Sequence, residues 1–410
     1  VDFEYTSWND WGSGDIPVKT KDFEKLVLAG KDMVHLPIFL GAISFFHSIP
    51  GVESGTDGLN VTGCVLARIF NRKIKTWDHP EILEDNKQLK GKLPRADFPI
   101  TVTHRVLGSS STASITEYLN KVCPAEWPST MVGSKIVWPA DTDGCQGSSG
   151  VTTCLRQTEG AIGYLDSGHG HSEGLVEVEL INRDGKYLSS KFAAAKGGIQ
   201  SAAEEALNLG VIPGSADENF GDVKLLNMPG EFTWPIVALT YVYAKKDLSH
   251  FRSDGEKTLF VQFLKSLYDL DFVTQCEVFG FTIPPKSIRD LGLAGIDMLK
   301  LPDGSAEWIV ETDTRPGVGQ GDNVISFKRK SFSSLSISGI SDDVAGVQDT
   351  VSELSANVND LDLLVDNHFV TNGDDDRDDK IQTALVLGGI SIAMWGIVGI
   401  MFLGNKLINI

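Results

Sequence analysis

The stretch ITVTHRVLGSSSTASITEYLNKV, residues 100–122, decides which fold the sequence predicts. Its first residues form a β-type run that leads to Arg105, and apolar residues recur at helical spacing from Ile115 to Val122. Small hydroxyl residues lie between these two parts. The first N–H groups and the dipole of a helix favour an anion in such a loop, and arginine can hold an oxyanion with two parallel hydrogen bonds. The alternative is an N-capping serine run beside a surface arginine.

The charge of the chain limits its partners. The 410 residues are enough for two or three domains, and their formal net charge is −19. Residues 341–379 concentrate this acidity, since they hold twelve Asp or Glu and one Arg. An acidic chain argues against a nucleic-acid partner, which requires basic surfaces. It does not exclude a small anion, because a site can be locally positive in an acidic protein.

Residues 1–315 alternate strand-like and helical patterns, which predicts a layered α/β domain. Proline and glycines that follow from residue 316 predict a linker over 316–335. The strand-like runs are 34–46, 99–103, 175–180 and 236–244, and the helical patterns are 62–70, 113–122, 199–209 and 258–267.

A heptad pattern follows the linker. From Ile337 to Val365, apolar residues step alternately by three and four positions, which predicts a coiled-coil stalk over 336–370. Since a globular helix usually has a wider apolar face, we expect a parallel homo-oligomer, either a dimer or a trimer, or a larger membrane assembly. The alternative is an amphipathic helix packed on the α/β domain.

The last part of the chain predicts a membrane anchor. Residues 371–381 form an acidic linker, for which a solvated role is favoured over a calcium site. Residues 383–405 carry no charge, and we predict a transmembrane helix over 382–405. The positive-inside rule then places the short C-terminal tail in the cytoplasm and the head on the extracytoplasmic side of a single-pass protein.

The cysteines and one sequon agree with a head outside the cytosol. Cys145 and Cys154 bracket a short Gly/Ser loop that a disulfide could close, and Asn60 begins a glycosylation sequon. Free buried thiols and an unused sequon are the alternative. No cysteine or histidine pattern predicts a metal site, and a solvent-exposed loop is favoured for His169–His171. The pairing of three cysteines stays open, namely Cys64, Cys123 and Cys276.

Seven segments in order resemble one family, the phosphate-binding proteins that supply ABC phosphate importers. The resemblance implies a two-lobed, type II periplasmic-binding-protein-like head, with lobe one at about 1–51 and 236–315 and lobe two at about 52–235. The segments are GSGDIPV (12–18), residues 32–51, 69–80 and 100–122, IVWP (136–139), EGAIGYLD (159–166) and residues 232–247.

The resemblance also implies an anion site. Asp15 matches the family's aspartate, which accepts a hydrogen bond from protonated phosphate and thereby discriminates against sulfate. Arg105 matches the anion-binding arginine. Leu107 occupies the position at which the family has an aspartate that orients this arginine. The family's first strand and two further anion-binding loops have no counterpart in the residues before Gly12. The loop residues that match the family's Ser-Gly-Thr loop are Ser109, Ser110 and Ser111, with Ser110 in place of glycine.

Two functions follow from this reasoning. The first is a membrane-anchored, non-catalytic phosphate-binding protein that acts as a receptor or uptake component without a cofactor. The second is a head with a degraded site that serves as a structural or assembly subunit of an oligomeric surface complex. No pairing of a histidine with an aspartate that would activate a nucleophile is indicated, and we therefore do not expect an enzyme.

Overall fold

A computed structural model describes residues 9–55, 58–311, 323–325, 347, 350 and 351. The head, from residue 9 to residue 310 with the gap at 56–57, belongs to one structural unit, and Val347, Thr350 and Val351 belong to a second unit. The strands are β1 Trp11–Gly14, β2 Met33–His47, β3 Asn60–Val61, β4 Thr101–Arg105, β5 Asp143–Cys145, β6 Ala161–Asp166, β7 Val176–Glu177, β8 Glu179–Ile181, β9 Tyr187–Leu188, β10 Leu225–Leu226, β11 Ile236–Lys245, β12 Ile309–Val310 and β13 Val324–Ile325.

The helices surround these strands, as the alternating pattern predicts. Each helical pattern named above corresponds to one helix of the head. The helices are α1 Thr20–Leu28, α2 Gly63–Phe70, α3 Pro80–Asp85, α4 Ser110–Val122, α5 Gly147–Gln157, α6 Ser167–Ser172, α7 Ser190–Ala195, α8 Gly198–Asn208, α9 Asp254–Ser266, α10 Leu270–Cys276 and α11 Lys286–Asp297.

Strand β2 organises the head because it belongs to both lobes. Fourteen of its fifteen residues are buried, as expected for a continuous apolar run in the middle of a sheet. Nine of its first ten residues, Met33–Ala42, pair with β11, whereas Ile43–His47 pair with β6. The main sheet has the strand order β1-β11-β2-β6-β4-β5. The α/β prediction is therefore confirmed, and the two lobes share one strand.

The boundary between the lobes differs from the prediction. The partner of β2 changes between Ala42 and Ile43, so the crossover lies inside the strand and not at residue 51. Ala216 already contacts lobe one, because its carbonyl accepts a hydrogen bond from His35 N at 2.8 Å. Gly230 and Glu231 lie at lobe two again, where their carbonyls accept from Asn182 Nδ2. The continuous apolar run gives no signal of where its partners change.

Proline in a central strand is accommodated by an irregular register. Phe39 pairs with Thr240, but the next pair is Pro37 with Tyr241, so one residue of β2 has no partner in the ladder. Proline has no N–H to donate, and such bulges are where sheets tolerate it. Tyr268, two residues after the end of α9, donates from Oη to the Pro37 carbonyl at 2.9 Å and so links the end of this helix to the strand.

Two disulfides lie in lobe two. Cys145 and Cys154 form the predicted bond, and Cys64 pairs with Cys123, which the sequence left open. Cys276 is a free thiol. Both crosslinks join a helix to a neighbouring element, so lobe two is covalently reinforced.

The C-terminal predictions fall largely outside the described residues. Within the predicted linker, Val324–Ile325 form β13, which pairs in parallel with β12. Val347 and Val351 of the predicted stalk are helical and about half exposed. Apart from these two residues and Thr350, the predicted stalk lies outside the described residues. The acidic linker 371–381 and the segment 382–405 lie outside them as well. Among the described residues, no helix is long and apolar enough to span a membrane.

Candidate anion site

The hydroxyl-rich segment after β4 is the start of a helix. Ser109 is the N-cap of α4, and its Oγ accepts a hydrogen bond from Thr112 N at 3.4 Å. The helix begins at Ser110, three residues before the predicted Ala113. Among the described residues other than glycine, positive φ occurs only at Arg72, Asp97 and Asn227. Serine in place of the family's glycine at position 110 is therefore free of the strain that a positive φ would impose.

A second helix starts beside the first. Strand β5 runs parallel to β4, with Cys145 paired to Arg105, and α5 follows two residues later. Gly147 makes the turn with φ of 69°, a conformation that glycine adopts without cost. The Cys145–Cys154 disulfide joins the end of β5 to the second half of α5. Two helix N-termini thus lie at the carboxyl ends of neighbouring parallel strands, which is where anions bind in α/β folds.

Arg105 lies between these two helix starts. Its Nη1 donates to Ser148 Oγ at 3.5 Å, and its buried Nε has no hydrogen-bond partner. Within the described part of the chain it forms no salt bridge, and Leu107, in the position of the family's orienting aspartate, is 55% exposed. The guanidinium group therefore keeps a cationic donor that the protein leaves unsatisfied, which is costly unless a ligand accepts from it.

The backbone of Arg105 is held by a buried pair of hydroxyls. Arg105 N donates to Tyr164 Oη at 3.2 Å, and the hydroxyls of Tyr164 and Thr112 are 2.6 Å apart. Burial raises the pKa of Tyr164 above its usual value, so the phenol stays protonated. It can then donate to Thr112 while it accepts from Arg105, which fixes the end of β4 to the first turn of α4.

Asp15 approaches the site from lobe one. It follows β1, which pairs with β11, and its Oδ1 accepts from Thr240 Oγ1 at 2.7 Å. Its Oδ2 accepts from Ser110 Oγ at 2.9 Å. Since Ser110 belongs to lobe two, this carboxylate joins the two lobes at the predicted anion site.

The predicted residues thus gather in one place. Asp15 and Ser110 touch, Arg105 lies at the end of the strand before α4, and Ser109 and Ser111 are buried in the start of that helix. The sequence did not predict the two further hydroxyl residues, Ser148 and Thr240. The signal for Ser148 was present, because QGSSG repeats the small, polar composition of the segment after β4.

Other predicted features lie away from this cleft. Asn60 is half-buried in β3, and its Nδ2 donates to the Asp85 carbonyl at 3.3 Å, so its glycosylation stays a prediction. His169 lies 3.2 Å from Thr152 Oγ1, and His171 lies 2.8 Å from Glu177 Oε2. These histidines are in the short helix α6, not in an exposed loop.

Comparisons with known proteins agree with the fold. The phosphate-binding protein PstS of Methanocaldococcus jannaschii is 28% identical over 299 residues, which cover 71% of this chain and 74% of that protein. The PstS protein of Pasteurella multocida is 28% identical over 307 residues, covering 73% of this chain and 79% of that protein. The crystal structure of a phosphate-binding protein from Stenotrophomonas maltophilia superposes with a TM-score of 0.50 at 16% identity, covering 71% of this chain and 80% of that one.

A family model supports the same assignment over most of the head. The model described as a PBP superfamily domain matches residues 9–264, a range that includes Asp15, Arg105 and the first turn of α4. The two-lobed architecture, with a sheet shared by both lobes, agrees with that match. The chain therefore belongs to the PBP superfamily.

Proposed function

We propose that the head binds inorganic phosphate in the cleft between its lobes, by hydrogen bonds and without chemistry on the ligand. The observation that carries this proposal is the unsatisfied Nε of Arg105, beside the starts of two helices. Tetrahedral oxyanions supply the acceptors that such a donor set lacks. The two relatives described above, one archaeal and one bacterial, are both named phosphate-binding proteins, and this supports phosphate as the ligand.

Asp15 favours phosphate over sulfate. A carboxylate can only accept hydrogen bonds when ionised, and phosphate carries a proton to donate at neutral pH, whereas sulfate does not. Each carboxylate oxygen has more than one lone pair, so Asp15 can keep Ser110 or Thr240 while it accepts from a ligand.

We further propose that the protein is a membrane-anchored receptor or uptake component. The uncharged segment 382–405 would anchor it, with the head extracytoplasmic and the tail cytoplasmic, and the heptads of 336–370 would form a parallel oligomer. The two disulfides of lobe two support an oxidising compartment for the head.

Titration calorimetry on the full chain in detergent micelles tests phosphate binding. We expect heat with phosphate and none with sulfate at the same concentration and pH. Absence of heat and of thermal stabilisation at millimolar phosphate would contradict the proposal, because a dedicated binding site saturates well below that concentration.

A structural role is the second candidate, and one observation favours it. Both oxygens of Asp15 already accept hydrogen bonds from the protein, and the bond from Ser110 joins the two lobes without a ligand. In that case the head would be a rigid part of a surface assembly. Native membranes extracted in mild detergent distinguish the two, since this role requires a stable larger complex whose head takes up no labelled phosphate.

A further inference from the structure

A second carboxylate lies at the cleft. Asp166 is the last residue of β6 and the N-cap of α6, where its Oδ1 accepts a hydrogen bond from His169 N at 3.1 Å. It follows the segment EGAIGYLD, which the sequence pointed to only as part of the family resemblance.

The register of the sheet places Asp166 on the same face as the Thr240 side chain. Side chains directly opposite in an antiparallel pair share a face, and residues two apart on one strand do so too. Gly41 lies between them and has no side chain, and a Cβ added there would stand 3.6 Å from Asp166 Oδ2. The relevant pairs are Thr240 with Phe39, Ala238 with Gly41 and Ile43 with Asp166.

Asp15 lies at the same face of the sheet, because its Oδ1 is bound to Thr240. Two carboxylates, one from each lobe, therefore lie on the face of the sheet to which Gly41 belongs. The pKa of Asp166 agrees with this closeness of the two carboxylates. Burial raises it, and the charge of Asp15 raises it further.

The other titratable groups around this pair are few. Burial and the Asp15 charge raise the pKa of both Tyr241 and Tyr243, so these phenols stay neutral. His169 faces Asp166 from α6, and Arg105 lies at the end of β4. Among the described residues assigned to the cleft, one cationic side chain thus accompanies two acidic ones.

We infer that Asp166 is the second proton-accepting carboxylate of the cleft, so that the cleft takes phosphate carrying two protons. This inference rests on the proposed phosphate binding. Dihydrogen phosphate can donate to both carboxylates, and its single charge matches Arg105. Hydrogen phosphate has one proton, which leaves one carboxylate facing an anionic oxygen. If the second proton resides on Asp166 itself, the complex holds the same total number of protons.

The consequence is proton uptake. Above the second pKa of phosphate, free phosphate has lost the proton that the complex requires, so each binding event takes up about one proton. The affinity for total phosphate should therefore fall about tenfold for each pH unit above that pKa.

Calorimetry of the full chain in buffers of different ionisation enthalpy measures this uptake. We expect about one proton per phosphate for the native chain above the second pKa, and almost none for Asp166→Asn. Asparagine keeps the acceptor for His169 N, so α6 stays capped. The variant should bind phosphate with little pH dependence in this range, and more tightly than the native chain at the alkaline end.

Three further variants complete the experiment. Asp290→Asn, on the exposed face of α11, makes the same charge change and should leave uptake unchanged. His169→Gln should also retain the uptake, which separates the carboxylate from the imidazole. Asp15→Asn removes the other acceptor and should reduce the uptake as Asp166→Asn does, which gives a second test if Asp166→Asn fails to fold.

Phosphate binding without proton uptake by the native chain would overturn this inference and leave the proposed function standing. Equal uptake by the native chain and Asp166→Asn would overturn it in the same way. Absence of phosphate binding at every pH would instead remove the proposed function, and this inference with it.

Discussion

The Ser110 hydroxyl donates a 2.9 Å hydrogen bond to Asp15 Oδ2, a residue 95 positions earlier in the chain. Ser110 opens α4 in lobe two, and Asp15 follows β1 in lobe one. The bond joins the first turn of a helix, which offers N–H groups to an anion, to a carboxylate that only accepts. The donors and the acceptor of the candidate anion site therefore meet across the lobe boundary.

Removing the Ser110 hydroxyl should weaken phosphate binding. Ser110→Ala deletes one donor to the Asp15 carboxylate, whose Thr240 donor remains, and we expect a loss of about 1 kcal/mol in the free energy of binding, or roughly fivefold in affinity. Calorimetry measures the change. Ser114→Ala, on the same helix, removes a hydroxyl without touching Asp15 and is the control. Equal effects of the two substitutions would show that the contact has no special role.

Arg105→Lys should reduce phosphate affinity more strongly. Lysine keeps the charge but loses the planar fork, and a charge-assisted hydrogen bond contributes about 1.5 to 3 kcal/mol, or roughly tenfold to a hundredfold in affinity. The matched control is Arg156→Lys, since Arg156 pairs with Glu173 on the exposed side of α5. Unchanged affinity in Arg105→Lys would remove this residue from the binding site.

The Thr112–Tyr164 bond should contribute to stability. Thr112→Val leaves a buried phenol with one fewer partner, and we expect a loss of about 1 to 2 kcal/mol in the free energy of unfolding. Urea denaturation of Thr112→Val, Tyr164→Phe and the double variant forms a thermodynamic cycle. The sum of the stability losses in the two single variants should exceed the loss in the double variant. If the losses simply add, the two hydroxyls do not interact.

A methyl group at Gly168 should separate the lobes locally. A Cβ there would lie 2.5 Å from the Gly280 Cα, and backbone cannot yield as a flexible side chain does. We expect Gly168→Ala to lower stability by about 1 to 3 kcal/mol and to weaken phosphate binding. Gly214→Ala is the control, because its Cβ would meet nothing within 4 Å. Similar thermal transitions in both variants would contradict the expectation.

Glu179 should make the head less stable at alkaline pH. Burial raises its pKa from 4.5 to about 7, with a smaller contribution from Glu177. The folded state thus binds this proton more tightly than the unfolded state. The associated stability is complete below pH 4.5 and is lost as the pH rises through about 7, by about 2 kcal/mol.

Glu179→Gln tests this expectation. Glutamine can still accept the 3.0 Å hydrogen bond from Gly55 N, so the substitution removes the charge and keeps the contact. Urea denaturation should show that the variant gains stability over the native chain at pH 8 but not at pH 5. Glu204→Gln, at an exposed position of α8, should show no such crossover. A constant difference across this range would refute the assignment.

Local patterns predicted the elements of this fold well, and long-range register accounts for what they missed. Residues 100–122 predicted the strand, the arginine and the hydroxyl donors, because these lie within one contiguous segment. Ser148 reaches Arg105 only because β5 pairs with β4 in parallel, and Thr240 reaches Asp15 only through the pairing of β1 with β11. The alternation of residues 236–245 gives no reason to choose Thr240 over its neighbours.

The sharing of β2 by both lobes has a consequence for folding. Unfolding either lobe removes one half of β2 from its ladder and exposes the end of the other half. Local opening of one lobe therefore destabilises the other lobe. The lobes should therefore melt in one cooperative transition instead of two. A bend that opens the cleft must then distort the few peptide units near Gly41, inside a hydrogen-bonded ladder, as well as the second crossing of the chain before β11.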